Sequence, residues 1–413
     1  MNHPKTKYTY VGVDSHKDTH TAVFIDCFFE KMGTLQFCNL PSSFDDFLQQ
    51  AQQYLIPGTS FMFGLEDTAS YGRMLAVFLQ SKGIQVKHIN SLLVARERKN
   101  QNAVQKTDAI DAQCAARVLL SKFSELPNAD TQDLYWVLRS LVARRDTLVK
   151  QRGMAKNQLH GFIAQHYPYY RHFFVNIDSK TALAFFERYP SPALLSHTTV
   201  DELTIFLQEL GGHSNYNEDF TGQLLDSLQN TAVQFQEVRD TVVQSTIRQL
   251  RYIMDEIEQL ETAMIAFLPQ FNCTLTSMAG IDTVTAARML AYIGDVRKFS
   301  SPAKLARYAG IAPVSYSSGK KDMQFANERG NRQLNSLFYN LAVQVCYATG
   351  KTHKVTNSFF HDYYNRKISE GKTKAQALKC AQRRLVNIIW TMLKNNEDYV
   401  NPPAFDTKHN NAK

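Results

Sequence analysis

A chain of 413 residues is too long for one ordinary core, so two or three domains are expected, and its 44% hydrophobic content is that of water-soluble globular protein. Forty-six Lys and Arg against 38 Asp and Glu leave a formal charge of +8, a balance that favours a polyanionic partner without establishing one. No run approaches the ~18 apolar residues of a membrane span, no apolar signal core follows Met1, and no two cysteines stand at Cys-x-x-Cys spacing, so a reduced, cytoplasmic protein with no membrane partner is expected.

Residues 1–125 alternate strand and helix signals. Strands are expected at Tyr8 to Val13, Thr19 to Ile25, Leu35 to Asn39, Ser60 to Leu65 and Ile84 to Ile89. Helices are expected at Phe44 to Tyr54, capped by Ser42 or Ser43, at Tyr71 to Gln80, and from Ser91 and Asp108 onward. A three-strand meander followed by helix–strand repeats is the order of an RNase H-like α/β sheet.

Residues 126–268 read as helical. Leu134, Leu138, Leu141, Leu148, Ala155, Leu159 and Phe162 recur at three- and four-residue steps, as do Val243, Ile247, Leu250, Met254, Ile257, Leu260, Met264 and Phe267. Narrow stripes of that length predict a coiled coil or an antiparallel helical hairpin, with a compact helical insertion over about 166–220. In that insertion Tyr169, Phe173 and Phe174 read as core. Residues 269–400 predict a further helical domain carrying the loop Ser315-Tyr-Ser-Ser-Gly-Lys-Lys321, and 401–413 a polar, frayed tail.

Four carboxylates stand out. Asp14 and Glu66 follow two apolar strands, and Asp108 and Asp111 lie three apart at a helix start, on one face. In a sheet of this order the first and fourth strands can be neighbours, which gathers all four. Such a cluster repels itself unless a cation neutralises it, and hard oxygen ligands suit Mg²⁺, with two ions about 4 Å apart serving phosphoryl transfer. Taken singly, Asp14 also fits a turn after a strand, and Asp108 with Asp111 a helix N-cap with a favourable charge.

The blocks Val11-Gly-Val-Asp-Ser-His-Lys17, Leu65-Glu-Asp-Thr-Ala-Ser-Tyr-Gly72 and Lys106-Thr-Asp-Ala-Ile-Asp-Ala112 resemble those of the DEDD transposases. This is an insertion-sequence family that includes pilin-gene inverting recombinases and has a RuvC-like N-terminal domain. The resemblance covers almost the whole chain and implies Asp14, Glu66, Asp108 and Asp111 as the metal-binding set. Gly310-Ile-Ala-Pro-Val-Ser-Tyr-Ser-Ser-Gly319 resembles the family's C-terminal block, implying Ser318, or else Ser317, as nucleophile. Lys320 and Lys321 stand ready to hold the phosphate, although an ordinary surface turn reads the same way.

Expected nucleic-acid contacts are Arg144, Arg145, Arg152 and Lys156 on the middle helix, Arg329 and Arg332 beyond the serine block, and Gly280 in an element resembling a helix-hairpin-helix. A solvated basic face and a packing turn are the alternatives. The resemblance further implies a structured guide (bridge) RNA, with the aromatic segment Tyr167 to Phe174 among its contacts. The expected protein is a nucleoid-associated transposase that cuts and rejoins donor and target DNA through Mg²⁺-assisted serine attack, as a dimer or tetramer held by the heptad stretches. The rival readings are a water-using nuclease of the Holliday-junction resolvase type and a non-catalytic nucleic-acid-binding protein.

Overall fold

The computed structural model describes residues 3–66, 70–101, 107–129, 133–211, 216–228, 235–318, 321–325, 327, 329–349 and 354–401, with the backbone alone described at 133, 315–318, 321–324 and 349. It divides into two compact units, Met1–Trp136 and Val137–Lys413. Among the described residues no helix is long and apolar enough to cross a membrane.

In the first unit β1 (Tyr8–Ser15), β2 (Thr19–Ile25) and β3 (Lys31–Cys38) form an antiparallel meander. The link from β1 to β2 is too short for anything but a hairpin, so antiparallel pairing is imposed. Helix α1 (Phe44–Ala51) then allows the chain to return as β4 (Ser60–Leu65), parallel to β1, and α2 (Arg73–Ser81) delivers β5 (Gln85–His88) parallel to β4. The resulting order β3-β2-β1-β4-β5 is that of an RNase H-like sheet. Helices α3 (Ser91–Asn100) and α4 (Asp108–Lys122) complete the unit.

The sheet is covered on both faces. Val11, Val13, Phe24 and Phe63 pack with Phe44, Phe47 and Leu75 on one side, while Tyr10, Val23 and Met62 pack with Ala112, Ala116 and Leu119 of α4 on the other. This is why β1 is buried at five consecutive positions instead of alternating. Strand β3 starts four residues before the expected Leu35, because as a half-exposed edge strand it carries little apolar signal. Ser43 does sit at the N-cap of α1 but supplies no cap hydrogen bond there; its hydroxyl instead donates to the carbonyls of Cys38 and Leu40.

The second unit is built on α5 (Asp133–His166) and α10 (Gln236–Phe267). Arg145 pairs with Glu261 near one end, and Arg239 donates to Gln165 near the other, so the two helices run antiparallel. Between them in sequence come α6 (Tyr170–Phe173), α7 (Lys180–Arg188), α8 (Val200–Gly211) and α9 (Glu218–Asp226). Their Tyr167-, Phe185- and Phe186-centred core takes in Leu148, Ala155 and Leu159 of α5 and Val243, Ile247 and Leu250 of α10. Both leucine stripes are therefore consumed inside one chain, and the expectation that they hold subunits together loses its surface. Tyr169, expected in this core, stands 66% exposed, whereas Phe174 is buried and Phe173 half-buried.

Beyond α10 lie α11 (Thr283–Ile293), α12 (Pro302–Tyr308), the hairpin β6 (Val314–Ser318) with β7 (Lys321–Phe325), α13 (Arg332–Cys346), the short pair β8 (Ala348–Thr349) with β9 (Lys354–Val355), α14 (Ser358–Ser369) and α15 (Lys374–Asn395). The five helices enclose their own core, joined by Leu138 and Val142 of α5. A wholly helical domain was expected here. The Tyr-, Val- and Phe-bearing arms around the serine block pair as strands instead of forming a loop. The expected tail lies outside the described residues from 402 onward.

Candidate active site

Parallel pairing of β1 with β4 aligns Val13 with Leu65, so Asp14 and Glu66 come at the adjoining C-terminal ends of two rigid strands. Helix α4 crosses β1 at Gly12, where an added Cβ would stand 2.1 Å from the Ala112 carbonyl oxygen and 2.2 Å from the Ala116 nitrogen. Only glycine admits this approach, and it brings the N-terminus of α4 toward the strand ends. Thr107 caps that terminus by accepting from the Ile110 amide, so Asp108 is not itself the cap.

Asp108 is half-exposed, and its Oδ1 lies 3.2 Å from Nε2 of His16. The same nitrogen lies 3.2 Å from Oδ2 of Asp14. One imidazole nitrogen thus bridges two carboxylates, and the ligand atoms of Asp14, His16 and Asp108 all fall within 4.8 Å of one another. Burial raises the Asp14 carboxyl above its ordinary range; His16 opposes that rise, while the charges of Asp108 and Asp111 add to it. A partly desolvated carboxylate beside two others is a site that gains from a cation.

Asp111 is 7% exposed and ion-paired with Arg98 of α3, one turn along from Asp108. Of the four expected carboxylates, Asp14 and Asp108 thus meet across His16. Glu66 is held half-buried at the neighbouring strand end, and Asp111 answers Arg98. A cavity of about 480 Å³ adjoins Asp108, lined by Thr21, Thr34, Gln36 and Thr107. His16 was not assigned a role from sequence, although its two-residue step from Asp14 at a strand end puts both on one face. Arg98 carried no such signal.

The serine block ends β6, with Ser317 opposite Asp322 and Ser318 opposite Lys321. Lys320 lies outside the described residues, and only the backbone of Ser317, Ser318 and Lys321 is described. The segment leading into β6 leaves Gly310, at φ +70°, where an added Cβ would press 3.1 Å from the Asn327 carbonyl.

The basic residues divide. Arg145 holds Glu261 at 2.6 Å and Asp146 at 3.2 Å, and Arg152 and Lys156 each hold Asp178 at 2.6 Å. Those three are committed to internal ion pairs, contrary to their expected place on a phosphate-binding stripe. Arg144, Arg329 and Arg332 are exposed, with no acidic partner among the described residues. Gly280, at φ +100°, faces Val345 and Leu341 of α13, and Asp282 already caps α11 by accepting from the Thr285 amide. The turn packs core helices, and a carboxylate occupies the helix end at which a phosphate was expected.

Residues 11–168 match a family model described as Transposase, and residues 272–357 match one described as Transposase IS116/IS110/IS902 family. The insertion element IS116 uncharacterized 44.8 kDa protein of Streptomyces clavuligerus is 24% identical over 407 residues, covering 95% of this chain and 96% of that protein. The insertion element IS110 uncharacterized 43.6 kDa protein of Streptomyces coelicolor is 26% identical, covering 81% and 82%. The pilin gene-inverting protein of Moraxella lacunata is 23% identical, covering 95% and 97%.

Proposed function

Because the chain belongs to the IS116/IS110/IS902 transposase family, whose members cut and join DNA, we propose that it does so with Mg²⁺ held by Asp14, Glu66, Asp108 and Asp111 and with Ser318 as nucleophile, Ser317 being the alternate. The observation that supports the metal reading best is the meeting of Asp14 and Asp108 across a single nitrogen of His16. Their oxygen donors fit a hard divalent ion, and two carboxylates so close need one. When bound, Mg²⁺ supplies charge neutralisation at the scissile phosphate and a more acidic nucleophile.

The chain's own residues do the rest. Strands β1 and β4 keep Asp14 and Glu66 from drifting, α4 presents Asp108, and His16 spaces the carboxylates. Arg98 offsets the charge of Asp111, so the cluster carries less uncompensated repulsion than four free acids would. In the transfer, the Ser318 oxygen bonds to phosphorus as a phosphorus–oxygen bond of the DNA backbone breaks. The serine gives up its proton and the departing strand gains one. Attack by a hydroxyl on another strand then frees the serine and completes the new joint. Exchange between strands needs at least two such sites, which favours a dimer or tetramer. Of the basic residues expected to contact nucleic acid, Arg144, Arg329 and Arg332 are exposed and available to DNA phosphates and to a structured guide RNA.

The test is a DNA substrate nicked so that the cut strand diffuses away, incubated with Mg²⁺, followed by peptide mass spectrometry of any protein–DNA adduct. The adduct is expected on Ser318 and is expected to vanish in Ser318→Ala and in Asp14→Asn. Cutting that survives Ser318→Ala, with no adduct in the parent protein, replaces serine with water and makes the chain a resolvase-like nuclease. Unchanged cutting by Asp14→Asn removes the metal site from the mechanism.

A further inference from the structure

A cavity of about 690 Å³ lies at the far end of the helical hairpin from the C-terminal core. Its floor is the α5 surface at His160, Gly161 and Ala164, and its wall is Tyr169 to His172. Tyr169 and His172 stack on each other, with ring centroids 5.1 Å apart and planes 24° from parallel. Both rings stand in solvent. Phe173 braces the pair from below, edge-on to His172 and to the Phe220 ring of the insertion core. The result is a two-ring shelf with an open π face, anchored but not covered.

The charges around the shelf are of one sign. Arg171 is exposed, and its Nε donates to the Tyr170 hydroxyl at 3.3 Å. Tyr170 is fixed in turn by a hydrogen bond with Nδ1 of His160. No carboxylate lines the cavity. Asp178, outside the lining, opposes the charge of Arg171 but is paired with both Arg152 and Lys156, so the three together still carry net positive charge. Burial, and after it the charges of Arg171 and Lys156, push the His160 imidazole below its ordinary range, as expected in a positive field.

We infer that this cavity binds one unpaired nucleobase stacked on Tyr169, with the adjoining backbone phosphate held by Arg171. Stacking tolerates any base, and a guanidinium beside an aromatic shelf suits the repeating base–phosphate pattern of a single strand. Ribose and deoxyribose strands share that chemistry, so the source is either an RNA or a DNA strand opened during recombination. The inference rests on nucleic-acid chemistry and not on the metal or the serine, so it stands or falls apart from them.

The test is fluorescence anisotropy of the full chain, in EDTA, with labelled oligothymidylate and oligouridylate as probes and a fully paired duplex as control. Tyr169→Ala is expected to weaken single-strand binding about tenfold, and Tyr169→Trp to retain it. Gly161→Leu serves as a second blocking variant. A Cβ at Gly161 meets nothing within 4 Å, and replacing glycine inside a helix does not lower stability. It too is expected to weaken binding about tenfold by filling the floor. A loss confined to oligouridylate assigns the base to RNA, one confined to oligothymidylate assigns it to DNA, and a loss on both means the sugar is not read. Unchanged affinity for both strands in Tyr169→Ala and Gly161→Leu overturns the inference, as does an equal loss on duplex.

Discussion

Gly12→Ala asks whether the close crossing of α4 over β1 is what assembles the carboxylates. The new Cβ would sit 2.1 Å from the Ala112 carbonyl and 2.2 Å from the Ala116 amide nitrogen. An unstrained separation is about 3.5 Å, so α4 must retreat by roughly 1.4 Å. Both obstructing atoms are backbone, and the sheet behind β1 is buried on both faces, so no flexible side chain can absorb the overlap. Overpacking of this kind costs about 1–3 kcal/mol. The retreat also carries Asp108 away from Asp14, and a misplacement of ~1 Å in a catalytic group can cost about 100-fold in rate.

In a Trp390→Phe background the remaining tryptophan is Trp136, whose ring lies under the Arg73 guanidinium inside the first unit. Its fluorescence during urea unfolding therefore reports that unit. The expected outcome is a folded protein with a lowered midpoint and an adduct yield on nicked DNA reduced about 100-fold. Gly153→Ala is the control, since its Cβ would meet nothing within 4 Å. A Gly12→Ala protein with the parent's midpoint and adduct yield would refute the reasoning.

Four further substitutions and conditions probe the same structure. His16→Ala removes the bridge between Asp14 and Asp108, leaving their repulsion to a cation alone, so the rise in melting temperature on adding Mg²⁺ should grow; an unchanged rise would contradict this. Asp178 is held below the ordinary carboxylate range: burial opposes this, but hydrogen bonds from Lys156 and Arg152 and their charges outweigh it. A depressed folded pKa gives stability that is full above the unfolded value of about 4 and lost as pH falls through the folded one. The stability gap between the parent and Asp178→Asn, on the order of 1 kcal/mol at pH 7, should thus close on acidification, and a gap that persists at low pH counts against the ion pairs. Asp146 collects Arg145, Arg288 and Tyr292, so Asp146→Ala should cost about 2–3 kcal/mol in urea unfolding. Its effect should be strongly non-additive with Arg288→Met.

The legible part of the fold was the part whose signal is local. The apolar runs of β1 and β4 and a helix beginning at Asp108 could be read from neighbouring residues, and with them the order of the sheet, although the cap expected at Asp108 is supplied by Thr107. The carboxylates followed, because their places at strand ends and on one helical face depend only on those elements. What the sequence hid was pairing across distance. Arg145 lies 116 residues from Glu261, and Arg152 lies 26 residues from Asp178, so cations that looked open to phosphate are taken up by acids that no local pattern reveals. Gly280 misled for a related reason: its turn matches a phosphate-binding one, but what fills the space beside it is α13, some 60 residues on, and Asp282 takes the helix end. His16 is the opposite case, a residue whose spacing from Asp14 was visible and went unused.

The same distinction decides what the long helices are for. A heptad-like stripe reads identically whether its partner is in the same chain or another, and only the pairing of Arg145 with Glu261 and of Gln165 with Arg239 shows an antiparallel partner within the chain. Leu250 is fully buried in the insertion core along with Leu159 and Phe185. Leu250→Arg puts an unpaired charge there, so it should destabilise that core by more than the 2–5 kcal/mol typical of a Leu→Ala cavity. Light scattering coupled to size exclusion, read beside a thermal melt, separates the two roles. If the stripe is internal, the variant unfolds at lower temperature and its subunit count, while folded, matches the parent's. If instead an oligomeric parent yields a well-folded monomer, the stripe belongs between chains, and the intrachain hairpin cannot be the form that assembles on DNA.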